Sequence, residues 1–181
     1  ALGGQAPDEG VERVRQVADR LGLLQPAHAT VIVGGTNGKG STVAHIEALA
    51  SAAGLRCGVF TSPHLLRYQE RIRIAGREAT PAELVAAFER IEAARGAVTL
   101  TFFEYNALAA FELFVRAGLD LAVLEVGLGG RLDATNLIDA DVAVLCSVGL
   151  DHTDWLGETV EQIGAEKAGI FRAGRAVVLG S

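Results

Sequence analysis

The chain has 181 residues, 50% hydrophobic and 21% charged, enough for one globular domain with a substantial core. A formal net charge of −6 argues against a general nucleic-acid or anionic-membrane binder, and no apolar stretch approaches the roughly 18–20 residues that span a bilayer. The opening ALGGQAPDEG lacks the basic start and apolar run of a signal peptide, and Cys57 and Cys146, each within an apolar segment, read as reduced thiols; a cytoplasmic protein is expected.

The first element is an amphipathic helix near residues 9–23, with Val11, Val14, Val17 and Leu21 at helical spacing. TVIVG (30–34) is β-branched and apolar, a buried strand, and STVAHIEALASAAG then reads as a helix ended by Gly54. CGVF (57–60) is a second buried strand. ERIRIAG alternates charge with Ile72 and Ile74, which predicts a strand with one wet face. In TPAELVAAFERIEAARG, Thr80 can cap, Pro81 suits the first helical position and Glu83 completes a capping box. FFEYNALAAFELFVRAG is a helix apolar on most sides. LDLAVLEVG and DVAVLCSVG are strands followed by polar, glycine-containing loops; ETVEQIGAEKAGIF is a last helix and AVVLG a final strand. Helices alternating with continuously apolar strands imply an α/β domain whose mainly parallel sheet carries helices on both faces, with ligands beyond the carboxyl ends of the strands.

The loop VIVGGTNGKGST (31–42) has the parts of a phosphate cradle: strand, glycines, a lysine, hydroxyls and a helix start. Glycines let backbone N–H groups approach phosphate oxygens, and a helix N-terminus adds dipole and free donors. Lys39 can bridge terminal phosphates, and Ser41 or Thr42 can reach a magnesium ion. The spacing departs from the standard P-loop, since only two residues separate Gly35 from Gly38 and Gly40 stands between Lys39 and Ser41. Of sixteen basic residues only Lys39 and Lys167 are lysines, which marks both for specific work. Glu125 ends a buried strand, where an unpaired carboxylate is costly.

GTNGKGST resembles the ATP loop of the Mur-type amide ligases. FTSPHLLRYQERIRI, TFFEYNALAAFELF, LEVGLGGRLDATN and LDHTDWLGETVEQIGAEKAGIFR resemble, in order, segments of the folylpolyglutamate synthases, in particular the bacterial type that also acts as dihydrofolate synthase. The resemblance runs from about Glu12 to the end. It implies that ATP is a substrate and Mg²⁺ the metal, with Thr36, Asn37, Gly38 and Lys39 around the phosphates and Gly40 and Ser41 extending the nest. It also implies magnesium ligation by Ser62, Glu125 and His152. On the residues alone, Ser62 reads equally as a turn former before Pro63, and His152 as a general base or a satisfied histidine; imidazole is an unusual ligand for so hard a cation. Pterin contacts are implied at Thr101, Phe102, Phe103 and Glu104, and at Leu132, Asp133 and Ala134. A buried helix start accounts as well for one of the two Phe residues, and a turn organiser for Asp133. Arg131 meets a phosphate or carboxylate, or is a surface arginine. Lys39 and Lys167 are the catalytic candidates, Lys167 as an N6-carboxylysine or as a plain solvent-facing helical lysine.

The implied reaction joins L-glutamate to dihydropteroate or to a folate polyglutamate through an acyl phosphate, with no nucleic-acid or membrane partner and a monomeric full-length enzyme. A cell-wall Mur ligase, or a nucleotide-binding regulatory module without ligase activity, stands as the alternative. Where relatives carry a stretch like DLGLER this chain reads PDEGVER, with Glu9 at a commonly apolar position, so no substrate contact is assigned there. Residues 1–181 are expected to be part of an N-terminal ATP-binding domain, without the C-terminal glutamate-binding domain and inactive alone.

Overall fold

A computed structural model of the protein describes residues 7–180. In chain order the elements are α1 (Pro7–Leu21), β1 (Ala27–Gly34), α2 (Lys39–Ala52), β2 (Cys57–Phe60), a 3₁₀ turn (Tyr68–Arg71), β3 (Ile72–Ile74), β4 (Arg77–Glu78), α3 (Pro81–Arg95) and α4 (Phe102–Ala117). They continue with β5 (Leu119–Glu125), a second 3₁₀ turn (Ala134–Leu137), β6 (Val142–Leu145), α5 (Thr153–Leu156), α6 (Val160–Ala168) and β7 (Ala176–Leu179). One sheet joins the strands in the order β4-β3-β2-β5-β1-β6-β7. The pairs β2/β5, β5/β1, β1/β6 and β6/β7 are parallel, and β3 and β4 extend the sheet as an antiparallel hairpin. The mainly parallel α/β sheet expected from the alternating pattern is therefore present.

The two faces of the sheet are covered unequally. On one, α4 lies against the strands with α1 and α3 around it, and Phe60, Phe111, Phe114, Leu108, Leu124 and Ile91 close the larger core. On the other, α2 packs Val43 and Ala50 against Val33, Val59, Val123 and Cys57. Helix α4 sits innermost, buried continuously from Asn106 to Phe114, as its all-round apolar sequence requires. Its one buried carboxylate, Glu112, is held by Arg90 and Arg116.

Local rules account for most boundaries. Thr80 caps α3 in a reciprocal box with Glu83, and Thr101 caps α4 in the same way with Glu104. Helix α2 starts at Lys39, two residues earlier than expected, because Gly38 takes a left-handed φ of 86° and turns the chain into the helix. The alternation in RIRI sends Ile72 and Ile74 into the core, while Arg73 pairs with Glu47 of α2 at 2.6 Å. Strand β7 is apolar yet exposed at all four positions, and among the described residues it pairs with β6. Both cysteines are free, and no helix among the described residues is long and apolar enough to cross a membrane.

Gly58 in β2 has no room for a side chain. A Cβ there would lie 2.3 Å from Leu119 Cδ1 and 2.8 Å from the Phe114 ring, both residues buried. Gly58→Ala is expected to destabilise the fold by about 1–3 kcal/mol, the usual cost of overpacking, read as a lowered thermal midpoint. An unchanged melt would contradict the packing described for β2.

Candidate functional site

Strands β1, β2, β5 and β6 run parallel, so Gly34, Phe60, Glu125 and Leu145 all end on one edge of the sheet. The loops that follow them, residues 35–38, 61–67, 126–133 and 146–152, meet there. This is the edge on which open α/β sheets bind ligands.

The glycine-rich loop is stitched to the loop after β6. Thr36 N donates to Ser147 O (2.9 Å), Thr36 Oγ1 accepts from Gly149 N (3.0 Å), and Asn37 N donates to Ser147 Oγ (3.0 Å). Gly35, at φ 144°, lies so close to Cys146 and Ser147 that a Cβ would come within 3.1 Å of each. The N–H groups of Thr36 and Asn37 are thus already used, and the donors left for an anion are those of the first turn of α2, which have no intrahelical partner. Lys39 folds back over the loop, its Nζ donating to Gly35 O (2.8 Å) and Thr36 O (3.3 Å). Gly40 and Ser41 continue the exposed first turn.

Glu125 is 5% exposed and accepts one hydrogen bond, from Ser62 N at 3.1 Å. Burial raises its carboxyl pKa, against the opposing pull of the Ser62 N–H, Lys39 and Arg73. Its Oε1 lies 3.9 Å from where a side chain at Gly40 would begin, so the carboxylate sits under the first turn of α2. A cleft of about 30 Å³ opens beside it, lined by Gly35, Thr36, Lys39, Asp151, His152 and Lys167 together with Val126–Gly129. Lys167 is 4% exposed; burial, then repulsion from Lys39, lowers its pKa, and Asp151 partly offsets this. A buried ammonium facing another cation is held closer to losing its proton than a surface lysine, and the solvent-facing reading does not apply. His152 adopts φ 49° and ψ 43°, its imidazole Nε2 lying 3.7 Å from Asp151.

The residues expected around a metal are therefore placed unevenly. Ser62 and Glu125 touch, while His152 lines the cleft from the loop after β6. Among the described residues no three His, Cys, Asp or Glu side chains cluster. The carboxylate and hydroxyl oxygens of Glu125 and Ser62 suit a hard cation that keeps water and phosphate oxygens in its shell.

A larger cavity, about 390 Å³, adjoins the cleft and shares Leu128 and Gly129 with it. It collects Thr101, Phe103, Glu104, Leu132, Asp133 and Ala134, six of the seven residues expected to contact a pterin. Phe102, the seventh, is 63% exposed and borders a neighbouring cavity of about 430 Å³ with Ser62, Pro63 and Arg71. The Arg71 guanidinium stands 5.4 Å from the Phe102 ring. Phe103 is the ring that packs inward, 5.7 Å from Phe60. Glu104 is engaged in the α4 cap and in an ion pair with Arg13 at 2.8 Å. Asp133 accepts from Gly127 N, Leu128 N, Thr135 N and Thr135 Oγ1 at 2.6–3.0 Å, so it organises the turn between β5 and β6. Arg131 pairs with Glu166 at 3.1 Å.

Sequence reasoning did not single out Asp151, Ser147 or Trp155. Asp151 precedes His152 in the loop after β6 and lines the cleft, while Trp155 reaches the larger cavity from α5, an element too short to show periodicity. Ser147 acts through a contact with Asn37 110 residues away, which no local pattern carries.

Residues 33–179 match the model of the Mur ligase middle domain. The chain is 56% identical over 173 residues to the "Dihydrofolate synthase/folylpolyglutamate synthase" of Escherichia coli (strain K12), covering 96% of this chain and 41% of that protein. It superposes on the structure described as "E.coli FolC in complex with DHPP and ADP" with a TM-score of 0.93 at 55% identity, covering 94% of this chain and 41% of the other. A bifunctional folylpolyglutamate synthase/dihydrofolate synthase "complexed with AMPPNP and Mn ion", from Yersinia pestis, gives 0.91 at 58% identity, covering 94% and 42%. The chain thus spans about two-fifths of the length of these relatives.

The buried carboxyl of Glu125 has a sign that can be tested. Its folded pKa lies above the unfolded value, so the folded state holds the proton more tightly and stability falls as pH rises from the unfolded pKa through the folded one. In metal-free protein, Glu125→Gln is expected to raise the thermal midpoint at pH 7–8, with the gain shrinking as pH falls from the raised folded pKa toward the ordinary carboxylate value of about 4.3 and absent below it. Equal melts of mutant and parent across that range would contradict the burial cost assigned to Glu125.

Proposed function

The chain belongs to the Mur ligase middle-domain family, and on that premise we propose that it carries the nucleotide site of an ATP-dependent ligase of the cytoplasm that joins L-glutamate to dihydropteroate, to a folate polyglutamate, or to both. One observation carries the reading. The Lys39–Lys167 cleft and the Phe103–Asp133 cavity open on the same sheet edge and share Leu128 and Gly129, so a flat-ring substrate in the cavity can present its carboxylate at the cleft. The names of the relatives, all folate enzymes among those compared above, favour this substrate class over a cell-wall precursor.

The loop acts as a P-loop variant. The free N–H groups at Gly40 and Ser41 and the α2 dipole receive phosphate oxygens, while Thr36 and Asn37, tied to the loop after β6, keep the turn rigid. Lys39, now bonded only to loop carbonyls, exchanges them for the terminal phosphates. Ser62, Glu125 and His152 would hold Mg²⁺, which supplies charge neutralisation at the phosphates. The substrate carboxylate oxygen attacks the γ-phosphorus and ADP leaves, giving an acyl phosphate. The neutral amine of glutamate then attacks the acyl carbon, its proton is lost, and inorganic phosphate departs to leave the amide. In the cavity, Phe103 offers a ring face to a pterin, and Thr101, Phe102, Glu104 and the Leu132–Ala134 turn complete its surroundings. Lys167 is buried with its pKa lowered, the condition under which the neutral amine can add carbon dioxide to form N6-carboxylysine. That anion would orient His152 across the cleft.

In the full-length protein, Lys39→Ala is expected to lower glutamate-dependent amide formation from dihydropteroate and ATP by roughly 10²–10³ or more, the scale of losing one preorganised charge donor. Product mass reports the reaction, and a melting curve checks that the fold is retained. Near-normal turnover would remove the phosphate-cradle assignment. Lys167→Ala should lose most activity and regain part of it on adding acetate. Full activity in the mutant, or a total lack of response to acetate, would count against the carboxylated form.

A further inference from the structure

Trp155 is the single tryptophan of the chain, and it is 75% exposed. The ring lines the 390 Å³ cavity together with Phe103 and Asp133. Its helix, α5, is fixed at both ends. His152 precedes it in the left-handed region, and Gly157 follows at φ 118°, where a Cβ would strike Gln162 at 2.6 Å. The Gln162 carboxamide accepts from Glu158 N at 2.8 Å, and Leu156 packs so closely on Gly129 that a Cβ there would lie 2.9 Å from Leu156 Cδ2. The turn is therefore braced, and Trp155 is its projecting residue.

Its position along the cavity is specific. His152, three residues earlier, lines the nucleotide cleft, whereas Trp155 and Leu156 line the cavity. Trp155 thus stands one turn of α5 from His152, which places it on the side of the cavity next to the cleft, and Phe103, packed on Phe60, forms another wall. Accepting the ligase reading above, the pteridine lies by Phe103 and the carboxylate at the cleft. The segment passing Trp155 is then the aminobenzoyl ring between them. We propose that Trp155 is a substrate-contacting residue whose indole packs against the aminobenzoyl ring of dihydropteroate and so sets the reach of the carboxylate into the cleft. Offset or edge-to-face contact between the rings supplies the attraction, and a residue so exposed contributes little to the core.

The test uses the full-length protein with two probes in a calorimetric or competition assay. One is dihydropteroate and the other 6-hydroxymethylpterin, which lacks the aminobenzoyl ring. Trp155→Ala is expected to weaken dihydropteroate about tenfold, equivalent to roughly 1.4 kcal/mol, and to raise its KM alike, with 6-hydroxymethylpterin and the KM for ATP unchanged within twofold. Trp155→Phe should restore dihydropteroate to within about threefold of the parent. Dihydropteroate binding unchanged in Trp155→Ala would overturn the proposal, and so would equal losses for both probes, since those would mark a distorted cavity. If neither probe binds the parent protein, the ligase reading of the cavity fails and the contact falls with it, an outcome distinct from the other two.

Discussion

The site depends on the placement of β1 between β5 and β6, all three parallel. The register pairs Val33 with Glu125 on one side and Gly34 with Leu145 on the other. Because each strand ends within a residue of its neighbour, the glycine-rich turn, the Glu125 carboxylate and the loop bearing His152 leave the sheet at one level. A slip of one residue in the β1/β5 ladder would turn Glu125 away from the first turn of α2, since alternate side chains face opposite sides of a sheet. The ladder is fixed by burial, as Ile32, Val33, Val123 and Leu124 are all inaccessible to solvent. The chemistry at the edge thus inherits its geometry from the core.

What the core holds in place there is electrostatically unfavourable on its own. Glu125 is buried with one hydrogen bond, and Lys167 is buried near the like charge of Lys39. Lys39 spends its donors on two loop carbonyls. A polyphosphate accompanied by a hard cation would relieve the costs at Lys39 and Glu125, the phosphate pairing with the ammonium and the cation with the carboxylate. Perturbed groups gathered in a cleft are common at functional sites, and here both desolvation and specific charge partners shift them. Preorganisation is expressed in the loop as well, through the stitches from Thr36 and Asn37 to Ser147 and Gly149. The loop is thereby tied to the segment that follows β6.

Much of this was legible in the sequence because the governing interactions are local. The Thr80–Pro81–Glu83 cap, the four-residue strand CGVF and the all-round apolar α4 follow from neighbouring residues alone. Alternation in RIRI read correctly as a strand, although the outer face, expected wet, is half covered by the Arg73–Glu47 pair with α2. What escaped depends on residues far apart in the chain. Phe102 and Phe103 are adjacent and identical, and only the fold decides that Phe103 packs on Phe60 while Phe102 lies beside Arg71. Strand β7 is exposed although its sequence is apolar, and α5 is a single turn with no periodicity to detect. The prior use of the Thr36 and Asn37 N–H groups likewise required knowing where Ser147 sits. The grouping of the six cavity residues was implied only by resemblance, and Asp133, left open between ligand contact and turn organiser, makes four hydrogen bonds within its own loop.

The central claim is that one sheet edge brings a substrate carboxylate into line with a phosphoryl group, so that bond formation between them precedes amide formation. Oxygen transfer tests this most directly. Dihydropteroate labelled with ¹⁸O in its carboxylate is incubated with the full-length protein, ATP and L-glutamate, and the released phosphate is analysed by mass. The account predicts that each amide formed delivers one carboxylate ¹⁸O to inorganic phosphate. Amide product accompanied by unlabelled phosphate would contradict it.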